Sequence, residues 1–250
     1  MVLKIGSNGK DVEKVQQLLQ AAGYTIKVDG DFGPKTRAAV MDFQVHNVDH
    51  RGLPLICDGE VGPLTLWRLQ NRNTITPHTD PFDVTVLPSG GSTIGRAALT
   101  VAISEIAAGA GEIGANNSGL WVRKYLNGLV AEGNPWCAGF ASWCFSQTSN
   151  GIPFKYSVGA RDILNQFKNK GWAFKPDAGI DPAPGDIIVW YRQSMQSGLG
   201  HIGLVHSYAN GVVNTIEGNR GSFPAKVRGF DYVISREAQL LGFGRVPDKV

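Results

Sequence analysis

The chain has 250 residues, a length that suits two domains, and its 42% hydrophobic and 18% charged content is that of a globular protein with a sizeable core. A formal net charge of +3 is too weak to argue for nucleic acid as a partner. Three cysteines, at 57, 137 and 144, do not make a disulfide framework. Cys137 and Cys144 on one helix would stand ~10.5 Å apart, beyond the ~7 Å that a bridge spans. Free thiols and a reducing site of synthesis are expected. No apolar run is long enough to span a membrane, so no stable membrane insertion is expected. The N-terminus, Met1 to Lys10, lacks an apolar signal core. Synthesis in the cytoplasm and delivery through a pore or a dedicated export machine are therefore expected. Charge is uneven along the chain. Residues 1–95 hold 9 Lys+Arg against 10 Asp+Glu, and residues 96–250 hold 15 against 11. A basic second half suits an anionic polymer, and equally a solvated surface.

The first predicted element is a helix capped by Asp11, with Val12, Val15, Leu18 and Leu19 at helical spacing. An internal echo follows. Asp29-Gly30-Asp31-Phe32-Gly33-Pro34-Lys35-Thr36 recurs as Asp58-Gly59-Glu60-Val61-Gly62-Pro63-Leu64-Thr65. Each copy is a Gly turn, a Pro suited to a first helical position and a Thr that can serve the first turn. The segments Arg37 to Val45 and Leu66 to Gln70 then read as helices. The pattern Gly6-Ser7-Asn8-Gly9-Lys10-Asp11-Val12, Gln16-x-Leu18-Leu19, Asp29-Gly30-x-Phe32-Gly33-Pro34-x-Thr36 and Phe43-Gln44 resembles the peptidoglycan-binding domain 1 family. Asp58-Gly59-x-x-Gly62-Pro63-x-Thr65-x-Trp67 is similar to that family's tail. The resemblance covers residues 1–70 and implies a small all-α, three-helix domain that binds the cell wall.

The intervening loop from Val45 to Leu55 is long and polar, and places His46 and His50 four residues apart. It lacks the glutamate of a helical zinc motif and its Asp-His-Arg-Gly context reads as loop, so no metal is expected there. Residues 71–95 are rich in Thr, Pro, Ser and Gly and read as a linker.

Residues 96–250 begin as helices: one through Ala97, Ala98, Val101, Ala102, Ile106 and Ala107, one over Leu120 to Leu126, one from near Cys137, and a short one over Ile163 to Phe167. After Pro184-Gly185-Asp186 the pattern turns to strands at Ile187 to Tyr191, Ile202 to His206, Val212 to Ile216 and Gly242 to Val246. Helices first and antiparallel strands after is an α+β plan. Gly109-Ala110-Gly111-Glu112-Ile113-Gly114 fits the spacing of a dinucleotide loop, but it follows a helix and not a strand, so it reads as a loop near the active site.

A thiol becomes a nucleophile as its thiolate, which a helix N-terminus favours. Asn134-Pro135 ahead of Cys137 suits such a start, whereas Cys144 lies two turns further in and is expected to face the core. A histidine must then serve as base. His201 opens a strand beside Gly200 and Gly203, and His206, five residues on, points to the opposite face, so His201 is the expected base. Glu217 and Asn219, two apart, would share a face if their strand persists, and either could orient the imidazole.

Trp136-Cys137-Ala138-x-Phe140, Pro184-Gly185-Asp186-Ile187, Gly200-His201-Ile202-Gly203-Leu204-Val205 and Glu217-x-Asn219 together resemble the CHAP family (cysteine, histidine-dependent amidohydrolases/peptidases), within the papain-like hydrolases that include NlpC/P60 enzymes. The resemblance implies Cys137 as nucleophile, His201 as base, and Glu217 and Asn219 as orienting or oxyanion-supporting groups. Trp136 and Trp190 are candidate groove walls for substrate, with core packing as the equal alternative. Some relatives carry an Asp-rich calcium loop ahead of the cysteine. Asn116-Asn117-Ser118 is poor in charge, so no metal or other cofactor is expected. Taken together, these resemblances imply a monomeric peptidoglycan hydrolase that cuts an amide of the stem or cross-bridge, in the manner of a phage endolysin. A bacterial effector or autolysin of the same chemistry, and a non-catalytic wall-binding protein, are the alternatives.

Overall fold

The computed structural model describes residues 2–52, 55–72, 74, 79–149, 151–221 and 223–248, with the side chains of residues 45 and 46 excepted. Three helices come first: α1 (Lys10–Ala21), α2 (Pro34–His46) and α3 (Pro63–Gln70). Their apolar faces meet in a core built around Val12, Val15, Leu19, Phe32, Val40 and Phe43. Pro34 and Pro63 open α2 and α3 as expected, because a proline at the first position gives up an N–H that would have no intrahelical partner. Asp11 does not cap α1. The helix starts one residue earlier, after Gly9 at φ 101°, and Asp11 sits in the first turn, where its charge faces the positive end of the helix dipole.

The two echoed segments are held by the same device, one glutamine each. Gln16 donates through Nε2 to Asp29 Oδ1, the Asp31 carbonyl and Thr36 Oγ1, while its Oε1 accepts from the Asp29 and Gly30 N–H groups. Gln44 donates to Asp58 Oδ1, the Glu60 carbonyl and Thr65 Oγ1, and accepts from the Gly59 N–H. Both glutamines are 1% exposed, so their amides substitute for water at turns that would otherwise bury unpaired backbone groups. Thr36 and Thr65 therefore serve this lock and do not cap their helices.

The second part contains α4 (Thr93–Ala107), α5 (Leu120–Leu126), α6 (Cys137–Ser146) and α7 (Ala160–Asn169). These are followed by a sheet of β1 (Ala173–Phe174), β2 (Ile187–Tyr191), β3 (Gly200–Ala209), β4 (Val212–Glu217), β5 (Arg228–Val233) and β6 (Leu240–Gly244). The six strands lie in the order β1-β6-β2-β3-β4-β5, and all paired neighbours are antiparallel. Alternation along each strand sorts the sheet into two faces. Ile187, Val189, Ile202, Leu204 and Ile216 join the helices in the main core. Ile188, Trp190, Val205, Val213, Phe230 and Phe243 form a second core on the opposite face, where Val48 from the loop after α2 packs against them. Across the same junction the Cys57 thiol lies 2.9 Å from Gln239 Oε1.

Residues 80–86 of the segment read as a linker lie along the sheet, and its last residues, Thr93 to Gly95, open α4. Asp80 Oδ1 accepts from the Gly229 N–H, Phe82 stacks on His206, and the Val86 carbonyl is 2.8 Å from His206 Nε2. Strand β5 escaped the sequence pattern because Arg228, Gly229 and Asp231 dilute the apolar alternation of Phe230 and Tyr232. Among the described residues, no helix is long and apolar enough to cross a membrane.

Replacing Gln16 or Gln44 by Ala strands buried backbone donors in the echoed turns. Each substitution is expected to cost about 1–3 kcal/mol, read as a lowered midpoint in urea unfolding followed by circular dichroism.

Candidate active site

Cys137 is the first residue of α6, and the Trp136 carbonyl starts that helix by accepting from the Phe140 N–H. The helix is mostly apolar and buries eight of its ten residues, so tertiary packing holds its N-terminus in place. Trp136 contributes most to that anchoring. Its ring stacks on Tyr125 and its Nε1–H donates to Glu112 Oε1 at 3.2 Å. The other Glu112 oxygen accepts from the Ala225 N–H, and Oε1 also accepts from the Asn117 N–H. Glu112 belongs to the glycine-rich loop that imitates a dinucleotide motif. The role of that loop here is to place a buried carboxylate behind the cysteine. Trp136 is wholly buried and lines no groove, because an indole this close to Gly218 leaves no room even for an added Cβ, which would fall 2.3 Å from the ring.

His201 lies at the start of β3, opposite Trp190 on β2. Its Nε2 is 2.6 Å from Glu217 Oε2, and both side chains are fully buried. The last residue of β4 is Glu217, and its carboxylate also accepts from the Thr215 hydroxyl at 2.5 Å, with Arg220 at 4.0 Å. Gly203 makes this approach possible, since a Cβ there would lie 2.7 Å from Glu217 Cγ. Trp190 covers the back of the imidazole, 5.8 Å between ring centroids, and donates its Nε1–H to Glu237. At 1% exposure it is a core residue and not a groove wall, because β2 turns its even-numbered residues toward the second core.

Asn219 does not share the face of Glu217. The strand ends at Glu217, and Asn219 sits in a bend at φ 60°. Among the described residues it makes no hydrogen bond to His201. Arg220, one residue further, points back to Glu217 instead. His206 lies away from the site, against the strap of residues 82–86.

Electrostatics single out one thiol. Burial pushes the Cys137 thiol up, but the charge of His201, the hydrogen bond with it and the nearby Arg192 more than offset that and bring it down to about 7. Burial raises the Cys57 and Cys144 thiols well above their ordinary value. Burial also opposes the charge on Glu217, yet its bond to His201 and the charges of His201 and Arg220 hold it below the usual carboxylate range. An ionised Glu217 commits Nε2–H of His201 as a donor, so Nδ1 is the nitrogen left to accept, from the thiol or from Arg192. Two further residues that the sequence pattern did not reveal reach this site. Arg192 Nη2 donates to His201 Nδ1 at 2.7 Å, and Asp42 of α2 lines the same cleft. Arg192 follows β2 in an unremarkable Tyr-Arg-Gln run, so no local signal marked it.

Residues 8–69 match the family model "Putative peptidoglycan binding domain", and residues 130–219 match the model of the CHAP domain. The chain joins a peptidoglycan-binding domain to a CHAP domain. Two solved structures are similar to parts of it. The Burkholderia AP3 phage endolysin is 36% identical over 32% of this chain and 26% of that one, with a TM-score of 0.26. A fused Zn-dependent amidase/peptidase/peptidoglycan-binding domain-containing protein from Clostridium acetobutylicum ATCC 824 is 36% identical over 36% of each chain, with a TM-score of 0.24. The chain thus spans 26% and 36% of the lengths of these two proteins. No curated protein matches it.

Within the CHAP domain match lie Cys137, His201 and Glu217. Among the described residues, no group of three or more His, Cys, Asp or Glu side chains is placed to hold a metal ion.

Alkylation of Cys137 by iodoacetamide is expected to rise with pH through a midpoint of about 7, with Cys57 and Cys144 unmodified in the folded protein. Peptide mass mapping across pH 5 to 9, as an order-of-magnitude window around the usual thiol range, reads all three sites at once. Glu217→Gln keeps the shape but removes the charge that favours the imidazolium, so the Cys137 midpoint is expected to move upward.

Proposed function

We propose that this chain is a peptidoglycan hydrolase whose CHAP domain cuts an amide bond by a cysteine–histidine mechanism, with the N-terminal domain holding it on the wall. The observation that carries the reading is the chain of contacts from the lowered Cys137 thiol, through His201, to the buried Glu217 carboxylate. Cys137 thiolate attacks the carbonyl carbon of a stem or cross-bridge amide, and its proton resides on Nδ1 of His201. The tetrahedral oxyanion forms at the N-terminus of α6, where the Cys137 N–H is unpaired within the helix. His201 then returns the proton to the leaving amine, and water attacks the thioester with His201 as base, which releases the carboxylate and restores the thiol. Glu217 stabilises the imidazolium in both steps and fixes which nitrogen faces the sulfur.

Matches at both ends of the chain support peptidoglycan as the partner and an amidase or peptidase as the general activity. A binding domain on the same chain raises the local concentration of the catalytic domain on an insoluble substrate. We further propose lysis of a bacterial host, as by a phage endolysin, as the biological role.

Digestion of purified peptidoglycan tests the reading. New termini are expected by mass spectrometry with the natural protein, and none with Cys137→Ala or His201→Ala. New L-alanine amines on released stems would make it an amidase, whereas new ends inside stems or cross-bridges would make it an endopeptidase. Equal digestion by the Cys137→Ala protein overturns the thiol mechanism.

A further inference from the structure

The two echoed segments of the N-terminal domain share more than their glutamine locks, because each also builds a pocket. The first pocket, of 370 Å³, is lined by Asp29, Asp31, Pro34 and Thr36 beside Gln16. The second, of 400 Å³, is lined by Asp58, Glu60, Pro63 and Thr65. The echo has a shift of 29 residues. Of the nine residues that line the first pocket, eight have their equivalent at that shift in the lining of the second. A hollow that recurs with the repeat is part of the repeat's design and not an accident of surface packing.

The two copies differ in their lips and in their surroundings. Lys27 and Lys35 of the first pocket are replaced in the second by Ile56 and Leu64, which are 45% and 38% exposed. Among the described residues, the N-terminal domain alone lines the first pocket. The second takes its far wall from the CHAP domain, through Asp231 and Val233 of β5 and Arg236 and Glu237 after it.

Charge separates them further. In the first pocket Lys27 and Lys35 balance Asp29 and Asp31. In the second, Asp49 and Arg51 neutralise each other at 2.6 Å. Burial brings Glu237 up to about 7, so it carries only part of its charge at neutral pH. Even without it, Asp58, Glu60 and Asp231 outnumber Arg236. An acidic hollow with apolar lips fits an ammonium group carried on an alkyl chain. It offers no platform for a sugar ring. Tyr232 is the aromatic residue in its lining, and it is 3% exposed, with its ring centroid 5.0 Å from that of Trp190.

We infer that the hollow between the second echo and strand β5 is a binding site for the free diamino-acid amine of a peptidoglycan stem, with Glu60 and Asp231 facing the ammonium from the two domains and Ile56 and Leu64 against its alkyl chain. This rests on the reading of the wall as the partner and names the part of it that is held. A stem seated there touches both domains at once. Binding then orients the CHAP domain on the polymer, which a tether alone does not do.

The test uses the full chain carrying Cys137→Ala, so that the probe is not consumed, and follows backbone amide shifts by NMR. The probe is a synthetic stem tetrapeptide with a free lysine amine. It is expected to move amides of residues 58–65 and 231–237, and its Nε-acetylated form, which lacks the charge, to leave them in place. Glu60→Gln together with Asp231→Asn is expected to weaken binding about tenfold, the loss of roughly one charge-assisted contact. Equal shifts from the acetylated peptide, or shifts confined to residues 29–36, overturn the assignment. So do shifts at residues 58–65 with an N-acetylglucosamine tetrasaccharide and none with the peptide, which would give the pocket to the glycan. Silence with every probe, from a protein that still sediments with purified peptidoglycan, overturns this site and leaves the wall as partner. Failure to sediment overturns the reading of the wall as partner, and this site with it.

Discussion

The bond between His201 Nε2 and Glu217 Oε2 is the constraint around which the CHAP domain is arranged. Both partners are fully buried, and a buried charge left alone is costly: removing one partner of such a pair typically destabilises by about 3–5 kcal/mol. The surroundings are shaped to avoid that cost. Thr215 donates to the carboxylate, Arg220 approaches it, and Gly203 gives up a side chain so that Glu217 can lie across β3. Trp190 and Tyr232 close over the pair from the second core, where their rings lie 5.0 Å apart. Excluding water in this way raises the strength of each contact inside and fixes the imidazole tautomer.

Cys137 is positioned by different means. Its helix is anchored from behind by Trp136, whose indole bonds to Glu112, and Glu112 in turn bonds to the backbone at Ala225 and Asn117. A carboxylate in a glycine-rich loop thus holds the nucleophile helix against the strand that carries the histidine. Close to it, Gly139 allows α6 to pass α5, since a Cβ there would lie 2.4 Å from the Tyr125 carbonyl oxygen. Small residues at these crossings let the elements approach to the distance that the chemistry needs.

The peptidoglycan-binding domain is ordered by two glutamine locks of the same design and covers part of the outer face of the sheet through Val48 and Cys57. The strap of residues 80–86 lies along that sheet, with Phe82 and the Val86 carbonyl on His206. A composition rich in Thr, Pro and Ser reads as a free tether in sequence. Yet two or three specific contacts to a neighbouring strand are enough to lay such a segment down, since it needs no periodic pattern to do so.

Much of this was legible in the sequence. Helical spacing located α1, α4 and α5, proline placed the starts of α2 and α3, and the Pro-Gly-Asp turn announced β2. The thiol at a helix start and the histidine at a strand start were also apparent, because both depend on residues next to them in the chain. The candidate groove-wall roles of Trp136 and Trp190 depended on where a side chain points, and the packing placed both in the core. What the sequence by itself determined is the helices, most of the strands and the chemistry that its cysteine and histidine can perform. Only the tertiary structure decided that Glu112 stands behind the nucleophile, and that Arg192 and Asp42 reach the same cleft from two domains. Those residues are far apart in sequence and carry no local periodicity, and a burial that brings distant charges together leaves no mark on either segment alone.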